Sequence, residues 1–268
     1  TPKPSSAASD VYKRQEQYKP RFSNSWDEYR NSIWHRVGYV NWGYEAIGRF
    51  DSWEQIANYP VDNDRKGNRT VVPGDIMYKD QNNDGVINYL DERPIGYRVD
   101  STPTLNFGIN LSASWKGFDL AMDWTGSGMT SWNQCYETAR PFQNDGNSPD
   151  EVLKDAWHLS DIWDANSPLI PGKYPMVRLN TDETSAYDKS SYWLHNVTYL
   201  KLRNLEVGYT FPKTWLNRTG ISNLRLFVSG TNLLTLSNLS VMDPECASDN
   251  GLDYPPMRVI NIGVNLKF

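Results

Sequence analysis

Asp80, Asn82, Asp84, Gly85, Val86, Asn88 and Asp91 lie in a stretch that reads Asp80-Gln-Asn-Asn-Asp-Gly-Val-Ile-Asn-Tyr-Leu-Asp91. They fall at positions 1, 3, 5, 6, 7, 9 and 12 of an EF-hand-like calcium loop. A hard cation takes several oxygens at once, so side chains at alternate positions must converge while the chain turns sharply. Gly85 permits the turn. The carboxylates of Asp80 and Asp84, the amide oxygen of Asn82 and the Val86 carbonyl are the expected ligands. Asn88 acts directly or through water, and Asp91 closes the site where a helix–loop–helix hand carries Glu. The competing reading is an Asx-rich turn without metal, because Asn, Asp and Gly dominate such turns. The expected cofactor is Ca2+.

Other chemistry is poorly supported. His35, His158 and His195 are scattered, with no metal-binding spacing among them or with cysteine. There is no G-x-S-x-G elbow, and Gly126 to Ser131 lacks the Lys of a phosphate loop. Asp161 and Asp164 flank Trp163 as a glycosidase pair would, but carboxylate separation decides that chemistry. No catalytic residue is assigned and the chain is not expected to be an enzyme. Cys135 and Cys246 are the two cysteines, and sequence leaves open whether they pair.

Around these residues the chain alternates. Leu105, Phe107, Ile109, Leu111, Ala113 and Trp115 interleave with small polar residues, which predicts a strand. Lys116-Gly117 reads as a hairpin turn into Phe118, Leu120, Met122 and Trp124. Tyr199 to Phe211 is a further strand whose parity slips at Arg203-Asn204, predicting a bulge. Leu224 to Thr231 and Ile260 to Phe268 alternate as well. Gly126 to Ser191 is expected to be long and mostly irregular, with a helix capped by Ser148 and started by Pro149. A second short helix is expected behind Ser52, with Gln55 three residues on. Arg36 to Ile56, which includes that helix, otherwise reads as irregular loop, and Tyr29 to Trp34 as a strand or helical turn. Thr1 to Gln15 is expected to be disordered or foreign to the fold, with 16–268 forming one domain.

Composition narrows the class. The chain has 268 residues, 38% of them hydrophobic, with 11 Trp and 16 Tyr, and a net charge of −5. That balance leaves no basic footprint for nucleic acid. No run of about 18 apolar residues exists to make a transmembrane helix. The polar faces of the strands carry Asn, Ser, Gly and Thr more than Lys and Glu, which suits a barrel lumen better than a solvated sheet. The fold expected is all-β: C-terminal antiparallel strands of a large outer-membrane β-barrel, incomplete in this chain, with Gly126–Ser191, Leu236–Pro255 and the calcium-like loop outside. Trp42, Tyr44, Trp132, Tyr136, Trp157 and Trp163 are the loop aromatics expected to stack on sugars, to meet a lid protein, or to pack the loops together. The rival is a secreted, calcium-dependent carbohydrate-binding β-sandwich.

Gly43 to Ile56, Pro73 to Gly96, Pro103 to Gly126, Tyr199 to Leu216, Ile221 to Ser237 and the end at Phe268 together resemble the C-terminal part of SusC/RagA-type TonB-dependent outer-membrane transporters. The resemblance implies a barrel of roughly 22 strands with an N-terminal plug. It also implies import of glycans or peptides, energy from TonB–ExbB–ExbD through the N-terminal region, outer-membrane lipid around the barrel, and a SusD-like surface lipoprotein as lid. The sequence shows no plug and no TonB-contacting box, so the chain alone is not expected to transport.

Overall fold

The computed structural model describes residues 24–31, 40–97, 103–143, 146–179, 184–217, 220–245, 251, 253–254 and 256–268. The proposed lead 1–15, His35 and Cys246 lie outside them, and with Cys246 the question of its pairing with Cys135. Two compact units are distinguished, 1–39 and 40–268. In the first, Ser25–Asn31 forms a helix, with Asn24 accepting from the Asp27 N–H at 2.8 Å. This settles Tyr29 to Asn31 as helical.

The second unit holds eleven strands among the described residues. Four short ones come first: β1 (Asn41–Gly43), β2 (Ala46–Arg49), β3 (Ile76–Tyr78) and β4 (Arg93–Gly96). Then come β5 (Leu105–Trp115), β6 (Phe118–Asn133), β7 (His158–Leu159), β8 (Leu169–Ile170), β9 (Leu194–Thr210), β10 (Asn223–Ser237) and β11 (Val259–Lys267). The long strands form one antiparallel sheet in the order β11-β10-β9-β6-β5. β5 spans 11 residues and β11 nine, the length that crosses a bilayer as a tilted strand.

Register decides the faces. Trp115, Phe118, Tyr209, Leu226 and Val264 lie in one cross-strand row, and Ala113, Leu120, Val207, Val228 and Ile262 in the next but one. Ser114, Asp119, Gly208, Phe227 and Gly263 fill the row between, and Ser112, Ala121, Glu206, Ser229 and Asn261 the row beyond Ala113, both on the other face. The hairpin turns at Lys116 and Gly117, both with positive φ (48° and 90°), the combination that matches strand twist in a two-residue turn. The parity slip is a bulge: Asp123 faces Asn204 while Trp124 faces Leu202, leaving Arg203 as the extra residue.

Among the described residues nothing covers the apolar face. Leu105, Phe107, Ile109, Leu111, Val228, Ile260 and Ile262 are all exposed, Ile262 by 82%. A β-sandwich would bury this face against a second sheet, but the other pairings (β1 with β4, β2 with β3, β7 with β8) are two-stranded and belong to the loops. Those loops have a core of their own, made of Tyr44, Ile76, Tyr78, Ile87, Val152, Tyr174, Tyr187 and Trp193.

Three local expectations are revised. Asn41 to Phe50 is not irregular, because it supplies β1 and β2. Gly126 to Asn133 is not loop: β6 runs on past a register shift between Ser127 and Thr130, with Met129 at φ 55°. The expected Ser148 cap is replaced by Pro149, and the helix is Asp150–Lys154. Pro149 has extended ψ there, and the Ser148 hydroxyl reaches only the Pro149 carbonyl. The Ser52 cap holds: its hydroxyl accepts from the Gln55 N–H at 3.2 Å, while Gln55 Oε1 accepts from Asp51 N–H.

Candidate functional site

The loop from Asp80 to Asp91 leaves β3 and ends in a short helical turn, Tyr89–Asp91, capped by Asn88. Each carboxylate first organises backbone. Asp80 accepts from the N–H groups of Asn83 (2.6 Å) and Gly85 (2.8 Å), and Asp84 accepts from Val86 N–H (2.9 Å). Asp91, fully buried, accepts from Gln81 and Asn88 N–H, both at 2.8 Å, and so ties the two ends of the loop together. Gly85 sits at φ +83° with no atom near where a Cβ would stand, so conformation and not crowding requires glycine there. Buried Ile87 donates to the Asp62 carbonyl and Gly85 accepts from Asp62 N–H, which fastens the loop to the segment before it.

The result brings oxygens of Asp80, Asp84 and Asp91 within 4.8 Å of one another. The Val86 N–H, then the Asn82 and Asn88 amides, hold the exposed Asp84 carboxyl below its usual range. The amide nitrogens of Asn82 (2.8 Å) and Asn88 (3.3 Å) face Asp84, so they supply partial positive charge to the cluster. Asn88 also donates to the Val86 carbonyl at 3.2 Å. The donor set is all oxygen and suits Ca2+, provided each amide turns its oxygen inward. The fit therefore rests on the three carboxylates and requires rotation at Asn82 and Asn88, whose amide oxygens accept from the Asp84 and Leu90 N–H groups.

Neighbouring loops are stitched by contacts that no local pattern announces. Asn63, fully buried, donates to the Ile76 carbonyl (3.0 Å) and accepts from Tyr78 N–H (3.0 Å). Arg49 donates to the carbonyls of Gly74 and Gly172. Arg178 pairs at 2.5 Å with Asp75, whose carboxyl is pushed up to about 6 by burial despite the guanidinium.

No protein-family model matches the chain. Among curated proteins it is similar to TonB-dependent receptor P3 of Formosa agariphila, 30% identical over 242 residues, covering 84% of this chain and 22% of the relative. It is also similar to TonB-dependent receptor SusC of Bacteroides thetaiotaomicron, 24% identical over 252 residues, covering 87% and 20%. Among solved structures, the RagAB peptide importer in its closed-closed state aligns with a TM-score of 0.56 at 20% identity, over 85% of this chain and 23% of that one. The chain is thus similar to the SusC/RagA-type TonB-dependent receptors. It spans about a fifth of the length of these relatives, and its place is the outer membrane.

In a SusC/RagA-type wall the exposed apolar rows are the lipid face, and the other face looks inward. That inner face is charged as well as polar. Near the hairpin end Arg225 binds Asp119 (Nε at 3.1 Å) and Glu206 (2.6 Å). Near the long-loop end Lys201, 1% exposed, lies 2.7 and 2.8 Å from the two Asp243 oxygens and 2.9 Å from Glu245. Glu245 also pairs with Arg203. The loop carrying these acids folds over the inner face, with Leu239 packed on Trp132, Val197 and Tyr199. Sequence reading passed over this cluster, although Lys201, a cation within the alternating run of β9, was a signal.

The other candidates divide. Tyr44, Trp132 and Trp157 are buried and pack the loops, whereas Tyr136 and Trp163 are exposed, Trp163 by 91%. Asp161 accepts from Trp163 N–H and Asp164 from Asn166 N–H, each at 2.9 Å, so both carboxylates shape the β7–β8 turn. His158 meets the Ala156 carbonyl, and His195 meets Gln134 while stacked on Trp132.

Proposed function

We propose that this chain is wall and outer loops of a TonB-dependent importer of oligosaccharides or peptides, working by binding and gated passage without bond breaking. The observation that supports it most is the inverted sheet: apolar residues face outward without cover, and ion pairs line the opposite face. Such a wall suits a polar conduit through lipid. The relatives named as TonB-dependent receptors, SusC and a RagAB peptide importer point the same way. The loop lobe at one end then lies outside the cell, where a SusD-like lipoprotein would sit as lid, and TonB–ExbB–ExbD would act on the N-terminal region. The test is uptake of labelled oligosaccharide and peptide pools by cells with and without the intact gene. Uptake should vanish on deletion and on collapse of the proton gradient. Equal uptake by the deletion strain overturns the reading.

The finer reading is that Asp80, Asn82, Asp84, Val86, Asn88 and Asp91 hold Ca2+ and thereby order the lobe. Three converging carboxylates repel one another unless a cation joins them. In the full-length protein, Ca2+ should slow proteolysis between residues 60 and 97, and Asp80→Ala with Asp84→Ala should remove that protection. Equal cleavage of the parent with Ca2+ and with chelator sinks the site.

A further inference from the structure

A cavity of about 450 Å³ opens on the inner face at the long-loop end, lined among others by Asn106, Thr125, Ser127, Tyr199, Arg203 and Glu245. Its charged wall is the Arg203–Glu245 pair. The two cations at this end are held very differently. Lys201 is sealed, and Asp243 alone gives it two oxygens at 2.7 and 2.8 Å. Arg203 is a third exposed and faces the cavity.

Arg203 is also positioned without its acid. It is the extra residue of the β9 bulge, a device that re-aims a side chain out of the strand's alternation. Its Nε donates to the Thr125 hydroxyl at 2.9 Å and another nitrogen to Asn232 Oδ1 at 3.3 Å. Those two neutral partners fix the plane of the guanidinium from the wall itself. Glu245, in contrast, comes from the loop and is shared between Arg203 and a lysine that Asp243 already satisfies. A carboxylate that arrives from a loop onto a preset guanidinium in a polar cavity occupies the place a ligand carboxylate would take.

We propose that Arg203 is a receptor for ligand carboxylates in the conduit, and that Glu245 is the internal competitor that fills it when no ligand is there. The ligand class is a carboxylate-bearing oligomer, either a uronic-acid oligosaccharide or an acidic peptide. The hydroxyls of Thr125, Ser127 and Tyr199 and the amide of Asn106 supply neutral hydrogen-bonding groups beside the charge. This rests on the import reading for the route by which ligand arrives, but binding itself is independent of energised transport.

The experiment uses the full-length protein in detergent, with labelled trigalacturonate and a labelled Asp/Glu hexapeptide as probes. The methyl ester of each is its uncharged control. Glu245→Gln should tighten binding of one carboxylate probe by about tenfold, the scale of removing a charge-assisted competitor. The arm that gains names the ligand source. Arg203→Gln should abolish the gain, and neither change should alter binding of the esters. Heat-modifiable migration of both variants checks that the barrel is closed, and Glu245→Gln leaves the Lys201–Asp243 pair intact to support folding. No gain in either arm, or an equal gain for the esters, overturns the proposal. Failure of uptake in cells, with the tenfold gain present in detergent, would instead fall on the import reading.

Discussion

The wall and the loop lobe solve opposite problems with the same residue types. In the wall, Ile109, Val228 and Ile262 are turned outward and exposed, while Lys201 is sealed on the inner side. In the lobe, Trp193, Tyr78 and Ile87 are enclosed, and the buried charges are compensated, Asp75 by Arg178 and Asp64 and Asp91 by backbone N–H groups. The wall is arranged for lipid outside and a polar interior; the lobe follows the ordinary rule of a water-soluble domain. One chain therefore holds two kinds of stability. A change that ruins one should spare the other.

The sharpest way to break the comparison is a pair of variants in the full-length protein. Trp193 is 1% exposed, lies among Tyr174, Tyr187 and Tyr192, and donates from its indole to the Ala186 carbonyl at 2.9 Å. Trp193→Ala should cost about 3–5 kcal/mol and open the lobe to protease while heat-modifiable migration of the barrel persists. Val228→Arg, placed near the middle of the lipid face, should cost about 2–4 kcal/mol and lower the urea midpoint of the barrel without exposing the lobe. Ser229→Arg, one residue on, points inward beside Glu206 and should change the midpoint little. Equal damage from Val228→Arg and Ser229→Arg would show that the apolar face does not meet lipid.

What the sequence could show differed between the two regions in the same way. Wall strands are legible because each side chain's face follows from parity: Leu105 to Trp115 was bounded to the residue, and the slip at Arg203 located the bulge. The alternation fails at Thr125-Gly-Ser-Gly-Met129, where a register shift breaks it, and β6 was cut short for that reason. The lobe depends on pairs far apart in sequence. Arg49 meets Gly172, and Asp75 meets Arg178, and nothing near Arg49 or Asp75 announces either partner. Residue type alone left three roles open for Tyr44, Trp132 and Trp157, and the distant segments that close over them select the packing one. The metal loop sits between these cases, since its spacing is local but the burial of Asp91 is not.

The smallest expected effect separates the regions by pH. Asp64, almost fully buried in the lobe, accepts from the N–H groups of Lys66 (2.8 Å), Asn68 (2.7 Å) and Thr70 (2.7 Å), and from the Thr70 hydroxyl (2.7 Å). Burial pushes its carboxyl up, but these donors outweigh it, the Thr70 backbone and hydroxyl foremost, and hold it down at about 2. The unfolded segment titrates near the ordinary Asp value of about 3.9. Between the two values the open loop binds more protons than the closed one, so the stabilisation is present above about pH 4 and lost as pH falls toward 2. Hydrogen exchange at the Lys66, Asn68 and Thr70 amides, corrected for the intrinsic rate at each pH, should show protection falling by up to about tenfold from pH 7 to pH 3, and by less where solvent screens the carboxylate. Asp64→Asn should start less protected and lose that slope. The wall amides of β11 between Ile260 and Val264 have no such carboxylate cradle among the described residues, so their protection should stay flat over the same range; a parallel fall there would mean that acid acts on the whole molecule and that the lobe has no acid response of its own.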